Sequence, residues 1–188
     1  MAKNNSDKIL RIAITGPEST GKTELARQLA IHFNTVFVPE YARRYIEELN
    51  RPYNYLDVIH IAHKQIELER NYTDKAVKYL FLDTELIITR VWLEVVYGHC
   101  PEWITHEISH SRIDYYLLCD IDIPWVEDRV RENGGVRREK LFLIYEQLLK
   151  SNGFEYKVIS GIGDLRLRNA LSSIDHFIAS GRTYLNES

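Results

Sequence analysis

The chain is poor in several things, and each shortage removes a class of protein. It has only two cysteines, Cys100 and Cys119, at neither redox nor metal-ligand spacing. That excludes a disulfide scaffold and points to reduced thiols in the cytoplasm. No apolar stretch approaches the ~18 residues that a membrane-spanning helix needs, so no membrane association is expected. Charge of one sign is not in excess either. With 24 basic against 27 acidic side chains the net charge is −3, which argues against a surface dedicated to nucleic acid. Low-complexity segments, internal repeats and interdomain linkers are absent. The first eight residues, Met1 to Lys8, are polar, lack a secretory core and read as a flexible tail. The remainder, 9–188, is long enough for one domain with one sizeable core.

Gly16-Pro17-Glu18-Ser19-Thr20-Gly21-Lys22-Thr23 is what the sequence does have. The octet matches G-x-x-x-x-G-K-[ST] at every fixed position. An apolar run, Ile12 to Ile14, precedes it and a helix-forming stretch, Glu24 to Phe33, follows. In that context backbone N–H groups converge on a phosphate at a helix N-terminus. Lys22 reaches the outer phosphates, and the Thr23 hydroxyl reaches a Mg²⁺ ion. A nucleoside triphosphate is the expected ligand.

Short apolar runs alternate with longer amphipathic ones, the pattern of a parallel sheet covered by helices. Strands are expected at Arg11–Thr15, Val36–Pro39, Tyr79–Asp83, Tyr115–Cys119 and Tyr156–Ser160. Helices are expected near 22–33, 41–49, 55–77, 84–97, 102–109, 124–132, 138–151 and 164–180. In the third of these, Leu56, Ile59, Ile61, His63 and Ile66 mark a buried stripe. Asp164 is the expected N-cap of the last helix. Functional side chains should gather at the carboxyl ends of the strands.

Two carboxylates stand at such ends. Asp83 closes an apolar strand, where a second Mg²⁺ anchor belongs; a plain helix N-cap is the competing reading. Thr84 adjoins it on the nucleotide side, and Glu85 reads as a first-turn acidic residue favoured by the helix dipole. Glu40 follows the second strand and can accept the proton of an attacking hydroxyl. Asp83 is the rival for that role. Beside Glu40, Tyr41, Arg43 and Arg44 can hold a sugar, base or phosphate, and Gln65 can hydrogen-bond a base. The competing reading is an ordinary helix start with solvated arginines.

Between 126 and 138 four arginines surround Gly134-Gly135. A mobile arginine-bearing lid of this kind can neutralise charge on a migrating phosphoryl group and exclude water. Arg131, Arg137 and Arg138 are its candidate contacts. His60 with His63, and His106 with His110, lack a third ligand at a metal-binding offset and read as packed or solvent-facing. Gly161-Ile162-Gly163 reads as the turn after the last strand.

Taken together, these segments resemble the ribosylnicotinamide kinase domain of the bacterial NAD-biosynthesis regulators called NadR. The resemblance rests on G-P-E-S-T-G-K-T at 16–23, P-E-Y-A-R at 39–43 and L-D-T at 82–84. It continues in L-L-C-D-I-D-I-P-W at 117–125 and V-I-S-G at 158–161. It implies a three-layer α/β P-loop kinase fold, with a five-stranded parallel sheet in the order 2-3-1-4-5. It also implies an ATP-dependent kinase that phosphorylates the 5′-hydroxyl of nicotinamide riboside, with Mg²⁺ as cofactor and a small-molecule nucleoside as partner. Family members often carry D-D-G-x-R after the Pro-Trp pair. Here Glu127-Asp128-Arg129-Val130-Arg131 replaces it without the glycine, which bears on lid alignment and acceptor choice. A length of 188 residues leaves no room for the regulators' DNA-binding and adenylyltransferase parts, so a freestanding kinase module is expected. The competing functions are a kinase for another nucleoside or nucleotide, and a regulatory P-loop ATPase that switches shape for a partner.

Overall fold

The computed structural model describes residues 9–125 and 136–181. Five parallel strands, β1 (Leu10–Thr15), β2 (Val36–Val38), β3 (Tyr79–Asp83), β4 (Tyr115–Cys119) and β5 (Tyr156–Ile159), form one sheet in the order β2-β3-β1-β4-β5. The order and the parallel sense agree with expectation. Seven helices are described: α1 (Lys22–His32), α2 (Tyr41–Glu48), α3 (Tyr55–Thr73), α4 (Leu86–Tyr97), α5 (Glu102–Ser109), α6 (Val136–Ser151) and α7 (Asp164–Ala179).

Strand alternation divides the core between two faces. Leu10, Ile12 and Ile14 of β1 pack with Tyr79 and Phe81 of β3 against α1 and α7. Ala13, Leu80, Leu82, Tyr116 and Leu118 look the other way, onto α3, α4, α5 and α6. Because both faces are covered, the strands read in sequence as nearly unbroken hydrophobic runs rather than alternating ones. This three-layer arrangement leaves the carboxyl ends of β1, β2 and β3 side by side, with Ile14 in register with Asp83. Among the described residues no helix is long and apolar enough to cross a membrane.

Several local expectations are corrected. The buried stripe of α3 is Asp57, Val58, Ile61, Ala62 and Gln65. Only Ile61 was anticipated; Leu56 is 73% exposed and His63 stacks on Trp103 at 4.4 Å between ring centroids. Asp57 is inside because it completes a capping box with Asn54 and also receives Arg51 and Tyr45. Asp164 is the first residue of α7 rather than its cap; Gly163 holds the cap position without a side-chain bond. Helix α4 begins two residues later than expected, since Thr84 adopts a left-handed φ of 76° that no α-helix accommodates. Glu85, not Asp83, is its N-cap, accepting from the Ile87 N–H. The expected helix over 124–132 is not helical at Pro124 and Trp125. Its remaining residues, together with the 1–8 tail, Arg131 and the glycine pair, lie outside the described residues.

Candidate active site

The phosphate loop joins β1 to α1 and depends on unusual backbone. Gly16 has a φ of 126°, and a Cβ there would lie 3.0 Å from the Cys119 carbonyl oxygen, so only glycine fits. Ser19 and Gly21 are also left-handed, at 57° and 76°. Alternation of hand along a short turn aims successive N–H groups into one concavity and their carbonyls outward. Gly21 then caps α1 without any side-chain bond, leaving the first-turn N–H groups of that helix for a ligand. Lys22 Nζ donates to the Pro17 carbonyl at 2.7 Å, and the Thr20 hydroxyl donates to the same oxygen at 2.8 Å.

The outward carbonyls have donors of their own. Arg138, from the first turn of α6, donates to Ser19 O at 2.8 Å and to Ile123 O at 2.7 Å. Arg166, from α7, donates to Thr20 O at 2.9 Å, Gly161 O at 2.7 Å and Asp120 O at 3.2 Å, and pairs with the Asp122 carboxylate. Both guanidiniums are buried.

In front of the loop lies a cavity of about 810 Å³, within the range of small-molecule sites. Gly16 and Glu18 to Glu24 line one end. Glu40, Arg43, Arg137 and Lys140 stand along it, and Ile46, Tyr53, Ile88, Trp92, Val96 and Ile144 form an apolar far end. Tyr53 meets Trp92 edge-on with ring centroids 5.0 Å apart. Glu40 is the N-cap residue of α2, yet its side chain makes no capping bond and faces this cavity.

Asp83 lies behind the cavity at the end of β3, fully covered, and neither carboxylate oxygen accepts a well-formed hydrogen bond. Burial raises its pKa, against the nearby Thr23 hydroxyl and the charges of Lys22 and Arg43. A buried carboxylate with open lone pairs, beside a threonine hydroxyl, fits a hard divalent cation that takes oxygen ligands. Two residues on, Glu85 accepts from the Thr15 hydroxyl at 3.1 Å and the Ile87 N–H at 2.6 Å. Burial pushes its pKa up to about 8 in spite of those bonds, with the charge of Glu69 adding slightly.

Other residues singled out from sequence stand elsewhere. Arg44 is 75% exposed and pairs with Glu48 at 3.5 Å. Tyr41 stacks on Tyr45 and reaches His60, outside the cavity lining. Gln65 is buried and spends its amide on backbone, accepting from the Tyr41 N–H at 3.0 Å and donating to Pro39 O at 3.3 Å. It fixes the turn that presents Glu40. Thr84 is buried and Pro17 turns its carbonyl to Lys22, so neither lines the cavity. Arg138 is committed to the loop's carbonyls, whereas Arg137 borders the cavity. Sequence reasoning missed Arg166, Asp122 and the apolar end. Helix α4 carried a signal for the last: Ile88, Trp92, Val95 and Val96 extend its apolar surface beyond what sheet packing needs.

An AAA domain family model, AAA_28, matches residues 11–168. The chain belongs to this AAA domain family. It is also 32% identical over 156 residues to the trifunctional NAD biosynthesis/regulator protein NadR of Salmonella typhimurium, covering 77% of this chain and 37% of that protein. The Escherichia coli NadR is 31% identical over the same length. The resemblance to NadR proteins therefore extends well beyond the motifs. The chain spans a little over a third of the length of the curated relatives it matches. Among solved structures, a NadR protein in complex with NR superposes with a TM-score of 0.75 at 22% identity, over 95% of this chain and 54% of that one. At this identity it is the fold that is shared.

Proposed function

We propose that the chain is an ATP-dependent kinase that transfers the γ-phosphoryl group to the 5′-hydroxyl of nicotinamide riboside, yielding the mononucleotide. The observation that carries this reading is the continuity of one cavity. A phosphate loop with its lysine opens onto the same space that ends in Tyr53, Trp92 and aliphatic side chains. A switch ATPase has no use for that second, aromatic compartment. A relative crystallised with NR supports the choice of acceptor.

In this reading the loop amides and Lys22 bind the triphosphate, and Thr23 and Asp83 would hold Mg²⁺, which when bound would supply neutralisation of phosphate charge. Glu40 lines the cavity itself, whereas Asp83 is covered and stands beside the Thr23 hydroxyl at the phosphate-loop end, so Glu40 takes the hydroxyl proton and Asp83 would serve the metal. The acceptor oxygen forms its bond to phosphorus in line with the bond that breaks, and ADP leaves with the electron pair. Arg43 and Arg137 offer guanidinium groups to the transferred charge, and in-line geometry with charge stabilisation provides most of the rate.

The test is transfer of radiolabel from γ-labelled ATP to a panel of nucleosides and nucleoside monophosphates with Mg²⁺ present. Nicotinamide riboside should give the highest kcat/KM, and labelled product should appear without free phosphate. Preference for thymidine or a monophosphate would replace the acceptor. Slow hydrolysis that no nucleoside alters would replace the kinase with a regulatory ATPase.

A further inference from the structure

We infer that Arg138 and Arg166 form a pair of positioning residues that shape the phosphate loop from behind, through its carbonyl oxygens. The inference rests on the kinase reading for its catalytic consequence, but not for its structural one. An anion cradle works only while its N–H groups face the ligand and the intervening carbonyls face away. A single peptide flip would turn a carbonyl dipole toward the phosphates and remove a donor together. Ser19 O and Thr20 O are the two consecutive carbonyls at greatest risk, since Ser19 and Gly21 adopt left-handed backbone around them. Each has a guanidinium behind it: Arg138 on Ser19 O at 2.8 Å, Arg166 on Thr20 O at 2.9 Å.

The same two side chains grip the stretch after β4, and Arg166 also reaches the turn after β5. Arg138 holds Ile123 O, and Arg166 holds Asp120 O and the Asp122 carboxylate. Asp122 in turn accepts from the Gly161 N–H, and Arg166 Nε donates to Gly161 O. Two helices far from the loop in sequence, α6 and α7, thus clamp it to the stretch 120–123 that follows β4. Guanidinium suits this use because its donors are fixed in one plane and can satisfy several carbonyls at once, whereas a lysine ammonium has no fork. Burial makes the arrangement consequential, since displaced carbonyls would find no water in exchange. Neither arginine is among the residues that line the cavity. They act through the loop.

The experiment compares Arg138→Lys, Arg166→Lys, Arg166→Met and the double lysine variant with the parent chain. One readout is amide hydrogen exchange at residues 18–22, which needs no substrate. The other is steady-state kinetics with Mg·ATP and nicotinamide riboside varied in turn. Exchange at 18–22 should quicken about tenfold or more in each lysine variant, in line with the loss of buried charge-assisted bonds, while β1 and β4 amides stay protected. KM for Mg·ATP should rise by a similar factor, with KM for the riboside within about twofold. The double variant should cost less than the product of the singles, because both residues hold one loop. Loop exchange unchanged in folded Arg138→Lys and Arg166→Lys would overturn the inference, as would an equal rise in both KM values. If Arg166→Met fails to fold, the lysine variants still decide. A parent chain that binds no Mg·ATP would sink the kinase reading alone, and the exchange data would still judge the clamp.

Discussion

The ammonium of Lys22 donates to the carbonyl of Pro17 five residues earlier, at 2.7 Å, so the loop's own charge is folded back over its backbone. The contact is local and polar, and a triphosphate competes for the same three ammonium protons. Lys22→Ala removes both the internal tie and the phosphate contact. Its kcat/KM for Mg·ATP should fall by about 10²–10³-fold, the usual cost of losing a group that stabilises transferring charge. The melting temperature should move little, because the side chain is only half-buried and one net hydrogen bond contributes about 1 kcal/mol. Turnover within a few-fold of the parent would remove Lys22 from the site.

Glu40 and Asp83 can be separated by what each variant does to the metal requirement. Glu40→Gln should lower kcat by about 10²–10⁴-fold, the range for a missing general base, and leave the half-saturating Mg²⁺ concentration where it was. Asp83→Asn should instead raise that concentration by about tenfold or more, on the order of 1.4 kcal/mol. Titrating Mg²⁺ against initial rate for both variants checks this. The crossed result, with the metal term moving in Glu40→Gln alone, would exchange the two roles.

The apolar compartment gives a prediction about the acceptor. Trp92 offers an aromatic wall beside Tyr53, and an aromatic base stacked on such a wall typically gains about 1–3 kcal/mol. Trp92→Ala should raise KM for nicotinamide riboside about 10- to 100-fold and leave KM for Mg·ATP nearly unchanged. An equal effect on both substrates would place the acceptor elsewhere.

Sequence revealed the parts whose signal is local. β3 and β4 were bounded to the residue, because an unbroken apolar run flanked by polar residues leaves a buried parallel strand little freedom. The phosphate loop was legible for a related reason: Gly16 is demanded by a φ of 126° and by the closeness of the Cys119 carbonyl oxygen, and Gly21 is favoured by its left-handed φ. Arg166 was invisible because three of its partners, Thr20, Asp120 and Asp122, lie in distant segments of the chain, and only Gly161 is near it in sequence. A lone arginine in an amphipathic helix carries no mark of that. Gln65 misled in the opposite sense, since a polar residue near a site looks like a ligand contact until the Tyr41 N–H and Pro39 O are seen to occupy it. The stripe on α3 was misjudged because Asp57 turns inward, and a pattern built on apolar residues alone cannot anticipate a buried carboxylate.

That carboxylate sets an acid limit on stability. Asp57 receives both terminal nitrogens of Arg51 at 2.6 and 2.7 Å, the Asn54 N–H at 2.7 Å and the Tyr45 hydroxyl at 2.9 Å. The Arg51 bonds are the chief cause of a pKa held well below the usual carboxylate range; the Asn54 and Tyr45 bonds add to it, against the opposing effect of burial. A folded-state pKa below the unfolded one means that the unfolded chain binds the proton more readily. The stabilisation is therefore fully present above the unfolded value of about 4 and drains away as pH falls from there toward the folded value. Asp57→Asn should remove this dependence. The variant should melt well below the parent at pH 7, and the gap should narrow steadily as pH drops under about 4. Asn54→Ala breaks the other half of the capping box and should cost about 0.5–2 kcal/mol, without flattening the acid limb to the same degree, since Arg51 remains on Asp57. Thermal melts of the three proteins across the acid range check both statements, and parallel melting curves for parent and Asp57→Asn would show that the carboxylate carries no such charge advantage.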